Sequence, residues 1–175
     1  MVETRNAQWS QADVEAELQR QLGAKKILWV PHGSLAGDDT DSHIDQLVRF
    51  TAPGRVLAAV SYTPDDENFT PLRKQLDALR LMQDASGRTL DVVPLTTPPP
   101  RYVRGERVPE SYCNFYLANG IVVVPTFGYA DTDEAACRVI AEQFPDRTIV
   151  PLDASEMVRG LGAVHCATQQ QPAAF

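Results

Sequence analysis

The sequence is short of cysteine and histidine, with three of each, and it lacks both an excess of positive charge and any long apolar stretch. Cys113, Cys137 and Cys166 are odd in number, widely spaced and free of any Cys-x-x-Cys pair, so neither a disulfide framework nor a zinc site is indicated. Apolar runs such as 56–60 and 121–124 fall far short of the roughly 20 residues that a membrane-crossing helix needs. The opening Met-Val-Glu-Thr-Arg-Asn has no apolar core behind a basic start, so no secretory signal is read there and a cytoplasmic protein is expected. Sixteen Lys and Arg against 23 Asp and Glu give a formal charge of −7. That balance disfavours nucleic acid and anionic membranes as partners and is compatible with a small cationic substrate.

What is present is an ordinary globular composition over 175 residues, 43% hydrophobic and 22% charged, enough for a real core. Ser10 precedes an amphipathic stretch carrying Val14, Leu18 and Leu22, and Gly23 follows it, so residues 11–22 read as a capped helix. Three apolar segments ending in Val-Pro come next, at 26–31, 89–95 and 148–152, and all three are expected to be strands whose proline falls where pairing finishes. Helices are expected at about 70–85 and 131–143, each just before a Val-Pro strand. Each Val-Pro segment leads to a short segment of mixed polarity, at 43–48, 112–116 and 164–167, read here as strands. In the first two copies an apolar strand follows, at 55–62 and 120–126. The unit is therefore β-β-α-β, present twice and flanked by the tail of one unit and the head of another, an internal repeat that reads as part of a larger array. Pro98-Pro99-Pro100 makes 96–110 a stiff surface loop.

Three segments hold residues capable of chemistry. His43 and Asp45, at i and i+2 of an expected strand, would share one face, where the carboxylate can orient the imidazole for acid–base work. Asp38, Asp39 and Asp41 crowd just upstream, and carboxylates so close repel one another unless a cation neutralises them; a calcium loop would need a 12-residue, helix-flanked pattern that is absent. Cys166 follows Gly160 and Gly162, which permit close backbone approach, and taken alone it is equally a nucleophile or a small buried hydrophobe. His165 alternates with Cys166 and would face away from it on a strand. Cys137 falls in a helical apolar pattern and reads as core, Cys113 is a weaker nucleophile candidate, and His32 caps a loop. If the repeated units close around an axis, His43, Asp45, Asn114 and Cys166 meet there.

The motifs Trp29-Val30-Pro31-His32-Gly33, Gly37-Asp38-Asp39-Thr40-Asp41-Ser42-His43-Ile44-Asp45, Ser111-Tyr112-Cys113-Asn114-Phe115-Tyr116-Leu117-Ala118-Asn119-Gly120, Val124-Pro125-Thr126-Phe127-Gly128 and His165-Cys166-Ala167-Thr168-Gln169-Gln170-Gln171-Pro172 span nearly the whole chain. In residues and order they resemble the C-terminal half of the agmatine deiminases, within the bacterial-type peptidylarginine deiminase family. The resemblance implies an α/β architecture, a partial pentein propeller of β-β-α-β units around a pseudo-fivefold axis, with residues 1–175 forming the C-terminal portion of one domain. It implies hydrolysis of a guanidinium to a ureido group, agmatine to N-carbamoylputrescine and ammonia, without metal or organic cofactor. By motif, Cys166 would be the nucleophile that forms an amidino-thioether. His43 would be the acid and base, and Asp45 the guanidinium ligand. Asn114 and Gly162 would support the site, and Asp39 or Asp41 would lie near the substrate's cationic end. Another guanidine as substrate, or an inactive remnant, are the alternatives. The sequence departs from the family in having Leu161 and Ala163 in the glycine-rich run and no counterpart of an acidic guanidinium ligand that the N-terminal half supplies. Association with that half or with a second copy is expected, because half a propeller leaves strand edges open.

Overall fold

The computed structural model describes residues 7–40 and 43–171. Helix α1 (Gln11–Leu22) has the expected ends: Ser10 and Asp13 form a reciprocal capping box, and Gly23 closes the helix at φ 65°. Two three-stranded sheets follow, built on one plan. In the first, β1 (Val48–Ala52) pairs antiparallel with β2 (Arg55–Val60), and helix α2 (Phe69–Leu79) carries the chain to β3 (Asp91–Thr96), parallel to β2. Between the sheets, β4 (Tyr102–Val103) and β5 (Glu106–Arg107) form a small hairpin. In the second sheet β6 (Tyr116–Ala118), β7 (Ile121–Thr126), α3 (Ala130–Gln143) and β8 (Thr148–Asp153) repeat the same order and pairing.

The central strands form the core because both their faces are covered. Val56, Leu57, Ala58, Ala59 and Val60 of β2 are all buried, and α2 sets Leu72, Leu76 and Leu79 against them at helical spacing. Helix α3 packs against β8 and also against β3, and so joins the two sheets; Leu95, Ala135, Ala136 and Val139 line a small cavity beside that contact. Pro94 and Pro151 sit in mid-strand with pairing continuing beyond them, at Ala58↔Pro94 and Val124↔Pro151. They are tolerated because among the described residues β3 and β8 are edge strands, each paired on one side, rather than because pairing has finished.

Three expectations are corrected. Residues 26–31 are not a strand: in the later copies the Val-Pro strand pairs with an apolar strand of its own unit, and among the described residues this segment has no such pairing. The mixed-polarity segments are tight turns rather than strands. Ile44–Gln46 and His165–Ala167 are single 3-10 turns, and Tyr112 and Cys113 form a turn ahead of β6. Their backbone groups are satisfied locally, Gln46 N–H by the His43 carbonyl at 3.2 Å and Thr168 N–H by the His165 carbonyl at 3.0 Å. The stiff surface loop at 96–110 instead folds as the β4–β5 hairpin, turned by Arg104 and Gly105, both at positive φ. It ends in the buried run Val108-Pro109-Glu110. Among the described residues no helix is long and apolar enough to cross a membrane.

Glu110 is 5% exposed, and burial pushes its carboxyl up to about 7, with the Arg101 guanidinium pulling it back. The folded protein therefore holds this proton more tightly than the unfolded chain does. Its contribution to stability is fully present below about 4.5 and declines as pH rises through about 7. Thermal melts from pH 5 to 8 are expected to fall with pH in this window and to flatten in Glu110→Gln. An unchanged slope would show that Glu110 ionises freely in the fold.

Candidate active site

Three turns from three different parts of the chain are hydrogen-bonded to one another: 43–47, 111–115 and 161–167. Gln46, buried, donates from Nε2 to the Leu161 carbonyl at 3.1 Å, and its own carbonyl accepts Ser111 Oγ at 2.6 Å. Arg49, at the start of β1, donates from Nη1 to the carbonyls of Cys113 at 3.1 Å and Phe115 at 2.6 Å. At the centre is Asn114, 0% exposed. Its Nδ2 donates to Asp45 Oδ2 at 3.0 Å and to Cys166 Sγ at 3.1 Å. Its Oδ1 accepts the backbone N–H groups of Ala163 at 3.1 Å, His165 at 3.1 Å and Cys166 at 3.3 Å.

Asp45, Asn114 and Cys166 therefore form one cluster. Asp45 Oδ2 also accepts the Cys166 thiol at 3.3 Å and lies 2.7 Å from His165 Nδ1. His43 is half-buried at the start of the 44–46 turn, close enough for its charge to act on Asp45. Gly162 backs onto the nucleophile candidate: a Cβ there would stand 2.6 Å from Cys166 Cβ and 2.8 Å from Sγ, too close for any side chain. Asp39 is exposed, outside this cluster of hydrogen bonds, while its neighbour Asp38 caps the turn by accepting Thr40 N–H at 2.8 Å. Asp41 lies outside the described residues.

His43 and Asp45 do not share a strand face, because they sit on a turn; Asp45 reaches the cluster through the turn's own curvature. For the same reason the expectation that His165 faces away from Cys166 fails, since both adjacent residues reach Asp45 from a 3-10 turn. Sequence reasoning missed His165 as a cluster member, and with it Gln46, Ser111 and Arg49. Their signal was present in the repeat, since each lies in or beside one of the three mixed-polarity segments.

The electrostatics separate the three thiols. Full burial pushes Cys113 up to about 12, so it is inert at physiological pH. Burial also raises Cys137, on α3 against the core. Cys166 is exposed, yet its thiol is raised too, by partial desolvation and by the Asp45 charge, against which the Asn114 hydrogen bond works. Desolvation also opposes the Asp45 charge, but hydrogen bonds from His165 and Cys166 and the nearby imidazoles outweigh it and hold this carboxyl below its ordinary range. Beside Asp45 and His165 opens a cavity of about 440 Å³ walled by Leu28, Val30, Ile44 and Phe50. The arrangement offers an accessible thiol, an ionised carboxylate and two imidazoles within one cluster.

Because Gly162 leaves no room for a Cβ, Gly162→Ala is expected to displace Cys166 and slow its alkylation by iodoacetamide severalfold, while Cys137 reacts at the unaltered rate. Peptide mass mapping after timed labelling reads both rates. Equal Cys166 rates in the two proteins would mean that the turn yields without disturbing the thiol.

Comparison with known proteins shows the family. The model of the Porphyromonas-type peptidyl-arginine deiminase family matches residues 1–172. A Legionella pneumophila protein, provisionally named agmatine deiminase, is 41% identical over 171 residues, covering 98% of this chain and 49% of the relative. The agmatine deiminase of Medicago truncatula is 34% identical over 188 residues, covering 97% and 50%. A cysteine-to-serine variant of C. jejuni agmatine deiminase, solved with substrate bound, superposes with a TM-score of 0.87 at 29% identity, covering 95% of this chain and 48% of that one. The chain spans about half the length of the curated relatives it matches. On the match over 172 of its residues, this chain belongs to the Porphyromonas-type peptidyl-arginine deiminase family.

Proposed function

We propose that this chain is the C-terminal portion of a guanidine hydrolase of the pentein type, converting agmatine to N-carbamoylputrescine and ammonia. The observation that carries the reading is the convergence of Cys166 Sγ, Asp45 Oδ2 and the Asn114 amide within 3.3 Å of one another, from turns far apart in sequence. The agmatine deiminases among its relatives support the substrate. The two sheets of identical plan would be two units of a propeller closed by the other half of the protein, the half that would supply a second acidic guanidinium ligand. A nucleophilic thiol is kept reduced in the cytoplasm, the location that suits this chemistry.

A guanidinium is planar and carries its charge on N–H groups that a carboxylate binds in pairs. All three hydrogen bonds of Asp45 within the cluster fall on Oδ2, and on this reading Oδ1 takes the substrate. The bound cation offsets the Asp45 charge that keeps Cys166 protonated, and the thiol becomes easier to ionise as the substrate arrives. Its proton passes to His43, and Sγ adds to the guanidinium carbon. The C–N bond then breaks as His43 returns the proton to the departing nitrogen, which leaves as ammonia and gives a cationic amidino-thioether. Water, deprotonated by His43, adds to the same carbon. The C–S bond breaks, the sulfur leaves with its electron pair and takes back the proton held by His43, and the ureido product departs as its surplus proton is lost to solvent, where ammonia becomes ammonium. Across the cycle one water is consumed and one ammonium released.

Chloroacetamidine carries the substrate's cationic amidine, whereas chloroacetamide is its neutral counterpart. Cys166 is expected to prefer the amidine by about tenfold or more relative to Cys137, a factor that about 1.4 kcal/mol of attraction to Asp45 supplies. In Asp45→Asn that preference is expected to vanish. A preference shared by all reactive cysteines, or retained in Asp45→Asn, would refute guanidinium recognition at this carboxylate.

A further inference from the structure

Arg49 is the one guanidinium that reaches the turn carrying Asn114 among the hydrogen bonds of the described residues, and nothing in the chemistry above uses it. Its Nη1 donates to the carbonyls on either side of Asn114, those of Cys113 and Phe115, and its Cζ lies 4.5 Å from the centre of the Phe115 ring. A backbone held at both neighbours has little freedom at the residue between them. Asn114, in turn, is the only side chain that both donates to Cys166 Sγ and accepts its backbone N–H among the described residues. The path from Arg49 to the thiol is thus two hydrogen-bonded steps, from Arg49 to the backbone on either side of Asn114 and from the Asn114 amide to Sγ.

We infer that Arg49 is a positioning residue for Cys166: by clamping the carbonyls of Cys113 and Phe115 it fixes Asn114, and through Asn114 it sets the geometry and hydrogen bonding of the thiol. The inference rests on reading Cys166 as the reacting thiol. Arginine suits this task and lysine does not, because one nitrogen of its fork, Nη1, serves both carbonyls while the guanidinium lies over the Phe115 ring, whereas an ammonium has no plane with which to stack there. The interaction spans β1 and the turn ahead of β6, so it also ties the first sheet to the second at the site itself. Charged and titratable groups acting on this region are Asp45, His43 and His165, together with Cys113, and Arg49 itself lies within electrostatic range of Asp45, Cys113 and Cys166. A test must therefore keep the charge at position 49 while removing the fork.

Arg49→Lys does so. The pH profile of iodoacetamide alkylation at Cys166, followed by peptide mass mapping of the purified chain, reads thiolate formation without requiring turnover. In Arg49→Lys the midpoint is expected to rise by about one pH unit, with an approximately tenfold slower rate at neutral pH, the effect of losing one charge-assisted hydrogen bond to the thiolate. The decisive comparison is in Asn114→Ala, where adding Arg49→Lys is expected to change nothing further, because the path is already cut. Shifts that add in the double variant, or an unmoved midpoint in Arg49→Lys, overturn the inference. Arg49→Gln is the second variant should the lysine protein not melt cooperatively: loss of the charge raises the midpoint with or without Asn114, a clearly larger rise is expected when Asn114 is present, and equal rises would overturn the inference. Failure of the guanidine reading would appear instead as loss of amidine preference in the unaltered protein, with these profiles intact.

Discussion

The buried amide of Asn114 is the interaction on which the rest of the site depends. It faces donors and acceptors at once: Asp45 and Cys166 take its two N–H bonds, while the N–H groups of Ala163, His165 and Cys166 converge on its oxygen. Only a side-chain amide offers both functions at one branch point. Aspartate in its place would bring a second negative charge against Asp45 and lose the donor to sulfur. An apolar residue would leave the N–H groups of Ala163 and Cys166 without this acceptor, the buried one of Ala163 at a cost of about 1–3 kcal/mol, while His165 N–H keeps the backbone carbonyl of residue 114 at 3.0 Å. The 161–167 turn thus takes its shape from a side chain about fifty residues earlier.

Charge and burial act on the cluster in opposite directions. Asp45 stays ionised despite partial desolvation because His165 and Cys166 donate to it, and the same ionised carboxylate keeps the thiol protonated. A resting thiol is less exposed to oxidation and stray electrophiles than a resting thiolate. A cation placed against Asp45 changes that balance, so recognition and activation fall on the same carboxylate. The buried thiol of Cys113, next to Asn114 in the sequence, shows what the same chemistry becomes when desolvation is complete: burial pushes it up to about 12 and removes it from reaction.

Much of the scaffold was legible in the sequence because it rests on local signals. Ser10 and Gly23 bound α1, apolar runs gave β2 and β7, and helical spacing gave α2 and α3. The repeat was legible from the recurring Val-Pro pairs, although their proline is accommodated by the strand edge rather than by the strand's end. What could not be read was the shape of the three mixed-polarity segments. Four or five residues carry too little periodicity to separate a strand from a 3-10 turn, and here tertiary hydrogen bonds from Gln46, Arg49 and Asn114 decide the matter. That error hid His165, whose place beside Asp45 follows only from a turn. Arg104 and Gly105, likewise, turn a hairpin inside a stretch whose prolines signal only stiffness.

The most direct test of the whole scheme is chemical: incubate the purified 175-residue chain with agmatine and detect N-carbamoylputrescine by mass spectrometry, with Cys166→Ser as the blank. Product from the unaltered chain that disappears in Cys166→Ser is the expected result, and it would establish the thiol as the group that opens the guanidinium. Product at the same level from Cys166→Ser would contradict the claim that the Cys166 thiol opens the guanidinium.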